Sequence, residues 1–203
     1  VKDDPRHRND RFDASSIGSY LSGYADRLRD ALLAVDVEAL DRARALIEQT
    51  AHAGRRVYAI GNGGSAAIAD HLCCDWTKGT HHADHPVIDS LSMVSNVALY
   101  SAIANDFGFE RVFSTQIELL AQPGDLLVAI SSSGNSPNIL AGVEAAQTRG
   151  MAAIGLSGFS GGKLKDSADV SLHVPIDNYG VVEDAHQALM HILAQYIACH
   201  RDG

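Results

Sequence analysis

The chain has 203 residues, 46% of them hydrophobic, which suits one domain with a substantial core. A formal net charge of -9, with 10 histidines counted as neutral, argues against non-specific binding to nucleic acid or to an anionic membrane. No apolar run approaches the ~18 residues of a membrane span, and Cys73, Cys74 and Cys199 lack the paired spacing of a disulfide framework, which fits a reducing, cytoplasmic setting.

Residues 1–15 are polar, carry no apolar signal core and read as a mobile tail, leaving 16–203 as a single domain. From Ser16 to about Val35, apolar residues recur with a helical period. Asp36 is placed to cap a second amphipathic helix. These two helices precede any strand and need a partner surface, for which another subunit is a common answer. Strands and helices then alternate. Strands are expected at 56–60, weakly at 87–92, and at 125–130, 151–156 and 170–174. Helices are expected at 66–78, 96–104, 109–121, 137–148 and 183–200, with a short one after the Gly-rich turn at 158–162. Short, continuously apolar strands alternating with helices predict an α/β fold: a doubly wound, parallel, five-stranded sheet covered by helices on both faces.

Two turns of this pattern are chemically loaded. SSSGNS (131–136) follows a buried strand and precedes Pro137, a residue suited to the first turn of a helix. In open α/β sheets, ligands bind beyond the carboxyl ends of the strands. A helix N-terminus there offers unpaired N–H groups and a partial positive charge. Ser131, Ser132, Ser133 and Ser136 add hydroxyls, and Gly134 lets backbone approach. Such a cradle takes a phosphate without a cation. The plainer alternative is a loop in which Ser136 merely caps the helix. The other turn, GNGGS (61–65), fits the weak G-x-G-x-x-A variant at Gly61, Gly63 and Ala66, but no clear ribose-binding acid follows.

Further polar groups stand at helical spacing. His71 and Asp75 are four apart, on one face of a helix, and can chelate a metal or simply form an ion pair. Glu183, His186 and His191 lie on or before the last helix. Eight residues separate Glu183 from His191, about 12 Å along a helix axis, so the two reach one metal only if Glu183 precedes the helix or if they serve different sites. HHADH (81–85) is a second histidine-rich stretch without diagnostic ligand spacing. Cys73 and Cys74 are either soft ligands or ordinary free thiols.

Together GNGGSxxxxxH, AIANDFGF, ISSSGNS and SGxxGG resemble the SIS (sugar isomerase) domain family over about residues 16–196, with the pattern of its phosphoheptose isomerases. That resemblance implies conversion of sedoheptulose 7-phosphate to D-glycero-D-manno-heptose 7-phosphate through an enediol-type proton transfer, in a homotetramer whose active sites lie between subunits. It implies that the serine turn holds the sugar phosphate, and that Asn62, Gly63, Ser65, Asn105, Asp106 and Glu183 contact the substrate. Asp75 and His191 become the acid–base pair, and His71, Asp75, Glu183 and His191 a zinc site. Asp75 stands where the family has Glu, and Glu183 where it has Gln. The resemblance leaves three other readings open. One is an isomerase of a different sugar phosphate, another a non-catalytic SIS-domain protein that associates with a replication initiator, and the third a sugar-phosphate-sensing regulator. Retention of His191 favours the enzyme, and no DNA-binding helical region is evident.

Overall fold

The computed structural model describes residues 14–201, so the tail expected at 1–15 falls outside the described residues save for Ala14 and Ser15. Two helices open the chain, α1 (Ile17–Leu33) and α2 (Val37–His52). Ser16 and Ser19 form a reciprocal capping box at the start of α1, and the Asp36 carboxylate accepts from the Glu38 N–H at 2.9 Å as the expected cap of α2. There follow β1 (Val57–Gly61), α3 (Gly64–Cys74), β2 (Ser90–Ser92), α4 (Val97–Phe107), α5 (Ser114–Leu120), β3 (Leu126–Ser131) and α6 (Pro137–Thr148). The chain continues through β4 (Ala152–Ser157), α7 (Gly162–Ser167), β5 (Val170–His173) and α8 (Tyr179–Arg201).

The five strands are all parallel, in the order β2-β1-β3-β4-β5. Alternation along them divides the core. Val57, Ala59, Val128 and Ile154 face a layer built from α1, α2, α3 and α8, while Tyr58, Ile60, Leu127 and Ala129 face α4, α5 and α6. Burial on both faces explains why the strands read as continuous apolar runs. Strand order reverses between β1 and β3, so the crevice beyond their carboxyl ends is the switch point of the sheet. GNGGS leaves β1 there and SSSGNS leaves β3.

Three boundaries depart from expectation. The helix expected at 66–78 is α3 followed by a π-helical turn, Asp75–Gly79. The expected pair 96–104 and 109–121 becomes α4, ended by Gly108 at φ +91, then a 3₁₀ turn (Phe109–Arg111) and a shorter α5. The last helix starts four residues early, because the Asn178 side chain accepts from the Val181 N–H at 2.9 Å and caps it. Glu183 is therefore inside α8, which removes the alternative that it precedes the helix.

Candidate active site

The serine turn is more than a helix cap. Ser136 is the N-cap residue of α6 but makes no side-chain cap bond. Its hydroxyl instead lies 3.1 Å from that of Ser131. In the first turn of α6, Pro137 has no N–H and the Ile139 N–H is taken by Asn138 Oδ1 at 3.0 Å, which leaves the Asn138 N–H for another acceptor. Ser132 Oγ is buried without a hydrogen-bond partner among the described residues. Gly134 sits at φ +65, and a Cβ there would lie 1.9 Å from the Gly161 carbonyl oxygen. The Gly-rich loop after β4 therefore presses directly on the serine turn. Leu164 N–H donates to Gly134 O at 2.9 Å, and Lys163 N–H to the Asn135 side chain at 3.1 Å.

Opposite this turn stands GNGGS. A Cβ on Gly61 would lie 2.3 Å from the Ser65 carbonyl oxygen, so only glycine closes that corner. Asn62 and Asn138 exchange amide hydrogen bonds at 2.9 Å in both directions, tying the two turns together. Between them lies a cleft of about 210 Å³ lined by Asn62, Ser65, the serine turn, Tyr179 and Glu183. Gly64 explains how Glu183 enters it. A Cβ on Gly64 would sit 2.4 Å from the Glu183 carboxylate, which rests against bare backbone at the amino end of α3, where a negative charge is favoured. A larger open groove of about 520 Å³, bordered by Glu110, Arg111, Glu118, Glu144 and Arg149, holds none of the expected site residues.

Farther along the seam between α3 and α8, three of the four expected metal ligands meet. One ligand atom each of His71, Asp75 and His191 lies within 4.8 Å of the others. Asp75 Oδ2 is 3.4 Å from His71 Nε2 and 3.3 Å from His191 Nε2. These distances are long for hydrogen bonds. They match the edge of a tetrahedron with zinc–ligand bonds of about 2.05 Å, roughly 3.3 Å. The residues present thus fit a divalent metal. Glu183 is not among them: two helical turns from His191, its carboxylate is committed to the serine-lined cleft. Cys73 and Cys74 are free thiols, and burial pushes that of Cys73 up to about 12, far from a thiolate ligand.

The cluster is held from behind. Trp76, buried at the start of the π-helical turn, donates its indole N–H to the carbonyl of Met190, the residue before His191, at 3.2 Å. Arg201 donates to Thr80 O at 2.7 Å, closing the other end of the turn. Asp75 and His191 are therefore the chain neighbours of a hydrogen-bonded, buried pair. Sequence reasoning missed Gln187, whose amide nitrogen is 3.1 Å from both His71 Nδ1 and His191 Nε2. Its place four residues before His191, on the same helical face, was the available signal.

Asn105 and Asp106 do not join the cleft within one chain. They lie exposed on the last turn of α4, with Asn105 donating to the Asp106 carboxylate at 2.8 Å, and they do not cap α5. His82 and His85 touch edge-on at 5.2 Å in a loop away from the cluster. His186 is fully buried, and among the described residues neither ring nitrogen makes a well-formed hydrogen bond, although the Ser157 backbone lies close by. Burial lowers its pKa to about 4, against an opposing pull from the Ser157 backbone.

A parallel sheet with an anion cradle at its switch point and a histidine–carboxylate cluster on the flanking helices defines a sugar-phosphate-binding α/β domain. The SIS domain family matches residues 20–158, and the chain belongs to that family. It is 38% identical to the phosphoheptose isomerase of Yersinia enterocolitica over 183 residues, 89% of this chain and 94% of that protein. Among solved structures, phosphoheptose isomerase GmhA from Neisseria gonorrhoeae superposes with a TM-score of 0.81 at 32% identity, covering 90% of this chain and 97% of the other. A phosphoheptose isomerase from Francisella tularensis gives 0.81 at 30% identity, covering 90% and 96%.

Proposed function

We infer that this chain is an aldose–ketose isomerase of the phosphoheptose type, converting sedoheptulose 7-phosphate to D-glycero-D-manno-heptose 7-phosphate. The observation that carries the reading is the meeting of His71, Asp75 and His191 on a fold that also presents a serine-ringed helix start whose Ser136 makes no cap bond. The reaction moves a proton between adjacent carbons and develops negative charge on oxygen. Ser131, Ser132, Ser133, Ser136 and the amino end of α6 hold the phosphate. Asn62, Gly63, Ser65 and Glu183 border the polyol, with Asn105 and Asp106 reaching it from a neighbouring subunit. Asp75 removes a carbon-bound proton and His191 serves the oxygen. His71, Asp75 and His191 would hold a zinc ion, which when bound supplies a Lewis acid to the oxygen that gains charge. A binding-protein role would leave this cluster without a use.

The assembly is read as a homotetramer with active sites between subunits. Along α3, His71 lies seven residues beyond Gly64, about 10 Å from the cleft, which favours a cluster and a cradle supplied by different chains. Ile17 and Leu21 on α1, and Leu33 at its end, are 86%, 68% and 78% exposed and suit subunit contact. No helix among the described residues is long and apolar enough to cross a membrane, and a cytoplasmic enzyme acting on a soluble sugar phosphate is the matching setting.

The deciding experiment incubates the purified protein with sedoheptulose 7-phosphate after chelation and again with added zinc, following the aldose product by NMR. Turnover restored by zinc is the expected result. No turnover under either condition, with the protein folded, would sink the proposed reaction.

A further inference from the structure

We propose that Gln187 is a positioning residue that fastens the His71 and His191 imidazoles to one another in the metal-free cluster and keeps only His71 when a metal is held. The metal part of this proposal rests on the function inferred above; the ring-fastening part does not.

Three pairings run down the seam between α3 and α8. Glu183 rests on Gly64, Gln187 touches His71, and His191 faces Asp75. The three α8 residues are four apart, so one face of the helix carries them all. The uppermost is drawn into the serine-lined cleft because Gly64 has no side chain to keep it out. The polar partner left for the rings is the amide one turn lower.

The rings need such a partner. Their side chains are 50% and 37% exposed, and they come from helices far apart in sequence. Asp75 sits 3.4 and 3.3 Å from them, too far to hold either by a strong hydrogen bond. Gln187, at 3.1 Å from each, makes the shortest polar contact recorded for both rings. A primary amide can serve two rings whichever way round it sits. Its nitrogen donates one hydrogen to each, and turned over, its oxygen accepts from both. Either way one side chain fixes two ring rotations, and the edge-to-face arrangement of the rings, 5.1 Å between centroids at 77°, follows from a shared anchor on one side. On His71 the amide meets Nδ1 and leaves Nε2, which faces Asp75, to a metal, as orienting partners of metal-binding imidazoles do. On His191 it meets Nε2 itself, the nitrogen that faces Asp75, so a metal there takes the place of that contact.

The test compares the full chain with Gln187→Leu, which keeps the volume, and Gln187→Ala, which relieves any misfit of the branched side chain. Histidine ring ¹⁵N shifts are recorded on the metal-free and zinc-loaded proteins and assigned with His71→Ala and His191→Ala. Zinc affinity is measured by competition with a chromogenic chelator. Both Gln187 variants should move the His71 and His191 ring signals together in the metal-free proteins, and in the zinc-loaded proteins should move that of His71 Nδ1 alone. They should lower kcat while leaving KM within about twofold, because the phosphate cradle is untouched. Unmoved ring signals in the metal-free variants would overturn the proposal. Should the parent take up no zinc while the ring signals still move in both variants, the metal part of the inferred function fails and the fastening role of Gln187 stands.

Discussion

The anion cradle and the histidine cluster are held in opposite ways. The cradle is one unbroken stretch, Ser131 to Asn138, largely buried and shaped by backbone: glycine against glycine, helix N–H groups and short hydroxyls. The cluster is assembled from the ends of half-exposed side chains; His71 and Gln187 meet across 116 residues of sequence. A phosphate is a fixed tetrahedral anion, and fixed backbone suits it. Proton transfer needs groups that change their bonding during the reaction, and side chains on packed helices supply them. Under the proposed function, one chain uses stiffness where the ligand is constant and adjustable contacts where the chemistry happens.

The sharpest way to break this comparison is to remove the proton-transfer groups while sparing the cradle. Asp75→Asn and His191→Ala should each lower kcat by about 10²–10⁴-fold, with KM for the sugar phosphate changed only a few-fold in a steady-state assay. Parent-like turnover in either would move the chemistry away from the cluster. The converse change is Gly134→Ala, which forces a Cβ to φ +65 and to within 1.9 Å of Gly161 O. It should cost about 3 kcal/mol in urea unfolding and raise KM before it touches the chemical step.

A third measurement probes the buried layer behind both regions. His186 has a pKa lowered from 6.5 to about 4 in the fold, so the unfolded chain takes up a proton first as pH falls. Its neutral burial contributes fully above about pH 6.5 and is lost as pH drops toward 4, by up to about 3 kcal/mol in all. Because neither ring nitrogen makes a well-formed hydrogen bond among the described residues, His186→Leu should fold and should flatten that segment of the stability–pH curve. The smallest effect is the most discriminating for the cradle. Ser136→Ala should leave stability nearly unchanged, since no cap bond is lost, yet raise KM about tenfold, the worth of one hydrogen bond to a charged group. A stability loss of about 1 kcal/mol with unchanged KM would return Ser136 to the role of a cap.

Much of this was legible in the sequence, and the reason is locality. Strands 57–61 and 126–131 announce themselves by apolar runs, and the turns after them carry their glycines and serines in consecutive positions. The topology then follows from right-handed crossovers and the alternation of elements. His71, Asp75 and His191 were found through spacing and through the motifs of the SIS family. What escaped is what only packing decides. Periodicity shows that 183, 187 and 191 share a face, yet not which residue of α3 each will meet. Glu183 was expected beside the histidines, and a glycine at 64 draws it elsewhere. The family match itself ends at residue 158, before α8 begins, so Gln187 lies beyond the matched segment. The π-helical turn at Asp75 likewise has no local signature, being fixed by Trp76 and Arg201 reaching across to distant backbone.

The bond from Trp76 to Met190 carries one practical consequence. Trp76 is the chain's single tryptophan; it follows Asp75 directly and donates to the carbonyl of the residue before His191. All indole fluorescence therefore originates beside the cluster of His71, Asp75 and His191. Metal capture, ring reorientation or loosening of the π-helical turn can each be followed in the unlabelled protein by its own emission, with no second tryptophan to dilute the signal.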